Sequence, residues 1–163
     1  MADFGGWLMP IEYPGAGVLA EHTAVRERVG LFDVSHLGKA GVTGEGALDF
    51  LNEMFTNDLY RIVDSKAQYT LLCNTDGGVV DDLIAYRNSE SDFFLIPNAS
   101  NTTDVVRVLN ENAPSGITVT NLHESFAVLA LQGPQAVEVI RSLEINPTMD
   151  YMAFAHVSIA GCD

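Results

Sequence analysis

Apolar side chains recur at helical spacing in four segments of the chain. Over residues 18–29 Val18, His22, Val25 and Val29 share one face, and Gly30 supplies a C-terminal stop. Residues 46–55 align Ala47, Leu48, Leu51, Met54 and Phe55. Residues 102–112 align Val105, Val108 and Leu109 behind Asn101 as a cap. Residues 134–143 open with Pro134 at a first-turn position and align Ala136, Val137, Ile140 and Leu143. Short β-like runs lie between them, over 31–35, 37–43, 67–73, 79–86, 93–97, 117–121, 125–131 and 155–160. Thr75-Asp76-Gly77-Gly78 separates two of these runs and predicts a hairpin. Hairpin-joined strands with irregularly interspersed helices predict an α+β domain with a mainly antiparallel sheet. The regular alternation of a doubly wound fold is missing. His156 to Ala160 alternates as an edge strand would, three residues before the last one, which predicts a natural chain that continues past Asp163.

Composition narrows the function. The 163 residues are 47% apolar and 18% charged, the profile of a folded globular chain. The formal net charge is −14, and it falls equally on residues 1–81 and 82–163, at −7 each. A surface this negative repels phosphate backbones and anionic lipid heads, so neither nucleic acid nor a membrane is the expected partner. The start, MADFGGWLMP, has no basic stretch or long apolar run and does not read as a signal peptide. Cys73 and Cys162 lie far apart, which favours a reduced, cytoplasmic setting over a disulfide framework or a zinc site. The four histidines have no HxH or HxxxH spacing, so no metal is expected.

The densest polar constellation is GGVVDDLIAYR, residues 77–87. Aspartate is depleted in strands, so two in succession within an apolar run need a reason. Strand period sends them to opposite faces, Asp81 with Val79, Leu83 and Ala85, and Asp82 with Val80, Ile84 and Tyr86. They therefore cannot form a proton-sharing dyad. One of them should sit against apolar neighbours, where desolvation suits it to handling a proton or gripping a ligand N–H. Asp82, sharing its face with Tyr86, is the stronger candidate. The plainer alternative is that both aspartates shape the hairpin and one pairs with Arg87. FDVSH groups Asp33, Ser35 and His36 without an identifiable catalytic partner, so His36 reads as a structural hydrogen-bonder and His22 as a core histidine. Gly77-Gly78 and Gly15-Ala16-Gly17 lack the spacing of a phosphate-cradling loop. Tyr69, on the strand entering the hairpin, could reach a ligand held near Asp82. Asn98 stands where a strand meets a helix, placed either to contact a ligand or to cap.

DFGGWLMP, EHTAVRERVGLFDVSHLG, FTNDL, AQYTLLCNTDGGVVDDLIAYR, the asparagine of IPNASN, and ALQGPQA occur in this order. Together they resemble the aminomethyltransferase family of the glycine cleavage system, the T-proteins, from Asp3 to about Gly161. The resemblance implies an aminomethyltransferase folate-binding type of α+β fold. It implies transfer of a one-carbon unit from the aminomethyl-lipoyl arm of the H-protein to tetrahydrofolate, with release of ammonia. It implies Asp82 as the catalytic carboxylate that hydrogen-bonds a folate nitrogen. The folate-lining positions of the family fall on Leu37, where methionine is usual, and on Tyr69, Tyr86 and Asn98.

Family chains continue through a GYTGE-type motif and a later arginine to a C-terminal barrel-like domain, and they also extend further at the N-terminus. Residues 1–163 are therefore expected to be one folate-binding region truncated at both ends, weakly binding and poorly active alone. H-proteins are often acidic too, so a chain at −14 is expected to be docked through basic residues elsewhere. Two other enzyme and binding classes share the general pattern. One is the folate domain of a sarcosine or dimethylglycine oxidase, which carries a flavin domain upstream. The other is a non-catalytic folate-binding accessory protein of iron–sulfur cluster assembly, against which the Asp81-Asp82 pair counts. A purely structural module is the third alternative.

Overall fold

The computed structural model describes residues 1–146, 149–159 and 161. In chain order the elements are β1 (Ala2–Phe4), β2 (Trp7–Met9), α1 (Val18–Glu27), β3 (Gly30–Asp33), β4 (Ala40–Thr43), α2 (Ala47–Met54), β5 (Lys66–Cys73) and β6 (Val79–Ser89). There follow β7 (Asp92–Ile96), α3 (Thr102–Asn112), β8 (Thr118–Asn121), β9 (Leu129–Gln132) and α4 (Ala136–Ser142), with 3-10 turns at Leu59–Arg61, Ala99–Asn101 and His123–Ser125. Every strand pairing is antiparallel, so the α+β expectation holds. No helix among the described residues is long and apolar enough to cross a membrane.

The chain divides into two compact units. The larger comprises Leu37–Phe126 with Asp150–Ala155 and contains a five-stranded sheet in the order β5-β6-β7-β4-β8. Strand period puts Leu72, Leu83, Ala85, Phe93, Leu95, Ala40 and Val42 on one face, where they are buried. Helices α2 and α3 cover that face with Leu48, Phe50, Leu51, Val105 and Leu109. At roughly 25 cal/mol per Å² of buried apolar surface, this two-layer core is the main stabilising term of the unit. The hairpin between β5 and β6 is locally specified. The Asn74 carboxamide oxygen accepts from the amides of Asp76 at 3.1 Å and Gly78 at 2.7 Å, and the Asn74 amide donates to the Gly78 carbonyl at 2.8 Å.

The smaller unit comprises Met1–His36, Ala127–Met149 and the described residues from His156 onward. It holds the β1–β2 hairpin, the β3–β9 pair and helices α1 and α4. None of its described residues is buried. The apolar stripe expected on 18–29 exists in sequence, but Val18 and His22 are exposed, so His22 is not a core histidine. Three boundary expectations also shift. Pro134 lies before the first turn of α4 rather than inside it. The strand expected over 125–131 starts only at Leu129, because His123–Ser125 forms a 3-10 turn. The strand expected over 155–160 does not form across 155–158; Ile159 makes an isolated bridge, and Ala160 lies outside the described residues. Cys162 lies outside them as well.

Candidate functional site

Strand β6 carries both aspartates, and its pairing with β5 opposes Leu71 to Asp82 and Tyr69 to Ile84. Tyr69 is therefore the diagonal cross-strand neighbour of Asp82 on one face, within reach of a long side chain. Its hydroxyl donates to Asp82 Oδ2 at 3.0 Å. Asp82 Oδ1 accepts from Asn98 Nδ2 at 3.1 Å. Both oxygens of an exposed carboxylate are thus held by neighbours, which fixes its orientation while leaving lone pairs toward solvent. The bond to Asp82 holds the Tyr69 phenol proton and raises that group above its ordinary value of 10.0.

Further along the same face stand Ile84 and Tyr86, with Phe94 opposite Tyr86 on β7. Tyr86 is half-buried, and burial raises its phenol above 10.0. Its ring meets Phe94 edge-on at 6.4 Å and Phe154 at 5.4 Å, while Phe94 meets Phe126 at 5.4 Å. These edge-to-face contacts connect Tyr86, Phe94, Phe154 and Phe126 on the same face, with Ile84 between Tyr86 and Asp82 along β6.

The strand-face separation of the two aspartates is as the period requires, but the desolvated one is Asp81, not Asp82. Asp81 is 2% exposed, because its face is the one that α2 and α3 cover. Its oxygens accept from the Asn98 backbone amide at 2.9 Å, Asn98 Nδ2 at 3.0 Å and Asn101 Nδ2 at 2.7 Å. Three donors compensate a carboxyl group taken out of water. The valines are exchanged relative to expectation. Leu72 pairs with Asp81 and Cys73 with Val79, so Val80 is the extra residue of a bulge that turns it toward the core and leaves Val79 exposed. Neither aspartate pairs with Arg87, whose guanidinium instead donates to Asp64 at 2.8 Å, to the Ile62 carbonyl at 3.0 Å and to Glu90 at 3.3 Å.

Tyr69, Asp82 and Asn98 are brought together directly, and Tyr86 lines the same face. Leu37 is near them in the backbone alone: it precedes Gly38, whose amide donates to the Pro97 carbonyl at 2.8 Å, next to Asn98. A Cβ at Gly38 would drive into Thr102 and Pro97, so only glycine permits this approach. Asn98 and Asn101 do not cap with their side chains, because both amides are drawn to the aspartates. The pair Asn98 and Asn101, one 3-10 turn apart, was a legible signal for this network, as was the alternation of 92–96 that sets Phe94 opposite Tyr86. Phe126 and Phe154 had no such signal.

The FDVSH residues make backbone-directed and ring contacts. Asp33 accepts from the Ser35 amide at 3.0 Å, and Ser35 Oγ accepts from the Val128 amide at 3.0 Å. His36 packs against the Phe4 ring edge-on at 5.7 Å, with Nδ1 buried and unbonded, so its contact is a ring contact rather than the expected hydrogen bond. Elsewhere in the larger unit a cleft of about 710 Å³ opens between the ends of α2 and α3 and the hairpin turn, lined by Met54, Cys73, Val80 and Arg107 among others. It contains none of the residues of the Asp82 face. Polar groups converge on the Asp82 carboxylate, whereas in the cleft Arg107 is already paired with Asp104 and Glu111.

Residues 1–163 match the family described as the GCVT N-terminal domain. An aminomethyltransferase of Parafrankia sp. (strain EAN1pec) is 59% identical over 160 residues, 98% of this chain and 44% of that protein. One from Mycobacterium avium (strain 104) is 58% identical over 157 residues, 96% of this chain and 42% of that protein. The chain thus spans less than half the length of the curated relatives it matches. Its fold is similar to the crystal structure of glycine cleavage system aminomethyltransferase T from Bartonella henselae, with a TM-score of 0.83 and 34% identity, over 93% of this chain and 42% of that one.

Proposed function

The chain belongs to the GCVT N-terminal domain family, and from that premise we propose that it is the folate-facing part of a tetrahydrofolate-dependent aminomethyltransferase of the glycine cleavage system. The observation that carries the reading is the exposed Asp82 carboxylate, gripped by Tyr69 and Asn98 on the face that also carries Tyr86. A flat, nitrogen-rich ring system fits that combination, lying against aromatic side chains and offering N–H groups to a fixed acceptor.

In this reading Asp82 accepts a hydrogen bond from the folate nitrogen that attacks the methylene carbon carried on the lipoyl arm. The carbon–nitrogen bond to the folate forms as the bond to the amino group breaks, and the proton given up by that folate nitrogen leaves with the amino group as ammonia. A second folate nitrogen then bonds the same carbon as the carbon's bond to the lipoyl sulfur breaks, and the second proton goes to the sulfur. Methylenetetrahydrofolate and the dihydrolipoyl arm are left. Tyr69 and Asn98 hold the carboxylate in place, so that orientation is settled before the substrate arrives. Tyr86 and Leu37 contribute apolar surface. The carrier is the lipoylated H-protein of the cytoplasm, and it docks mainly on sequence beyond these residues, since a chain of charge −14 repels an acidic partner.

Calorimetric titration of the full-length gene product with tetrahydrofolate tests the reading. Saturable binding that is weakened by Asp82→Asn is expected. Absence of folate binding by the unmodified full-length protein would overturn it.

A further inference from the structure

The cleft of about 710 Å³ in the larger unit lies away from the Asp82 face, and the chemistry proposed above gives it no task. Its floor is apolar. Met54, Val80 and Val108 are half-buried against the core, and Cys73 adds a free thiol to the same lining. Its rim is negative. Glu53 and Met54 close α2 and Asn112 closes α3, so the C-terminal ends of both helices, which carry partial negative charge, open on the cleft. A helix favours a cation in its last turn, yet neither helix has one; Glu53 and Glu111 stand in those turns instead. Glu53 makes no ion pair among the described residues. Arg107, the one cation of the lining among the described residues, donates to Asp104 at 3.1 Å and to Glu111 at 3.0 Å. Three carboxylates against one guanidinium leave the surroundings net negative, and an anion finds no unpaired cation there.

We propose that this cleft is a docking site for a basic segment of another protein, with an aliphatic side chain seated on Met54, Val80 and Val108 and flanking Lys or Arg side chains beside Glu53 and the two helix ends. The incoming cations supply what the last turns of α2 and α3 lack. A second copy of this chain does not fit, because at −14 it repels itself. The acidic carrier proposed above is repelled for the same reason, so the occupant is a different protein. Nothing in this assignment depends on what the Asp82 face binds.

The test uses the isotope-labelled full-length protein and, as probe, a capped peptide of two leucines flanked on each side by lysine and arginine. Amide chemical shifts should move saturably at Met54, Val80 and Val108, with Tyr69, Asp82 and Asn98 unmoved. Alkylation of Cys73 by iodoacetamide should slow as the peptide binds. A peptide with glutamate at the basic positions should bind about tenfold or more weakly, and so should one with serine for both leucines. Equal affinity of either one overturns the proposal. Glu53→Lys is an exposed change that suits the last turn of α2, so the melting temperature should hold. It should weaken binding of the parent peptide by about tenfold, through repulsion of like charge. An unchanged Kd overturns the proposal, as do shifts scattered over the acidic surface, which mark non-specific attraction of a polycation. Absence of binding overturns it too; slow alkylation of Cys73 without peptide would then place a segment of the same chain in the cleft.

Discussion

The two faces of the five-stranded sheet are made by the same alternation and do opposite work. On the covered face, Leu83 is 2% exposed and Leu72, Ala85, Phe93 and Leu95 are inaccessible, packed under α2 and α3. On the open face Tyr69 is 54% exposed, Asp82 is exposed and Tyr86 is half-buried. Adjacent aspartates fall one on each side. The covered one is consumed by three donors; the open one keeps lone pairs toward solvent. The difference shows that burial, more than residue type or neighbourhood in sequence, divides scaffold from chemistry here.

Breaking the open face should be felt in activity and not in stability. In the full-length protein, Asp82→Asn is expected to lower one-carbon transfer by about 10²–10⁴-fold, the range for loss of a positioned acid–base group. Its unfolding free energy should stay within about 0.5 kcal/mol of the parent, as for an exposed substitution. Steady-state transfer kinetics alongside denaturant unfolding measure both. Breaking the covered face should do the reverse. Leu83→Ala, one residue away, is expected to cost about 2–5 kcal/mol of stability through lost burial and a residual cavity, with activity falling only as far as the folded fraction does.

A milder change sharpens the comparison. Tyr69→Phe keeps the ring on the open face and removes the bond to Asp82 Oδ2. It should lower transfer by about fivefold to tenfold, corresponding to about 1 kcal/mol for one hydrogen bond. The smallest effect is on a titration. Because the bond to Asp82 raises the Tyr69 phenol, its contribution to the fold is whole below the ordinary value of 10.0 and is lost as pH rises through the raised value. Asp82→Asn should bring the Tyr69 titration back toward 10.0, followed by phenolate absorbance against a Tyr69→Phe reference.

Much of the fold was legible because its signals are local. The Asn74–Gly78 turn is written in side-chain chemistry, and α3 begins and ends where the stripe of Val105, Val108 and Leu109 places it. Strand period likewise separated Asp81 from Asp82. It could not say which face α2 and α3 would cover, since those helices lie outside the hairpin in sequence. Nor could it place the bulge at Val80, which exists only in the pairing with β5. The β1–β2 hairpin was missed although Gly5-Gly6 is a two-residue hairpin signal, because three-residue strands carry too little alternation to register. In the smaller unit the stripe on α1 promised burial that its own elements do not supply. For the site, strand period and position brought Asp82, Tyr86, Tyr69 and Asn98 forward and the resemblance added Leu37, but the service of Asn101 to Asp81 appears only in three dimensions.

We propose that the open face around Asp82 receives the folate. Titration of the isotope-labelled full-length protein with tetrahydrofolate, followed by amide chemical shifts, tests it most directly. Perturbations are expected to concentrate at Tyr69, Asp82, Tyr86 and Asn98, with Met54, Val80 and Arg107 unmoved. Perturbations concentrated instead around the cleft of about 710 Å³ that those three residues line, or no perturbation at saturating ligand, would contradict it.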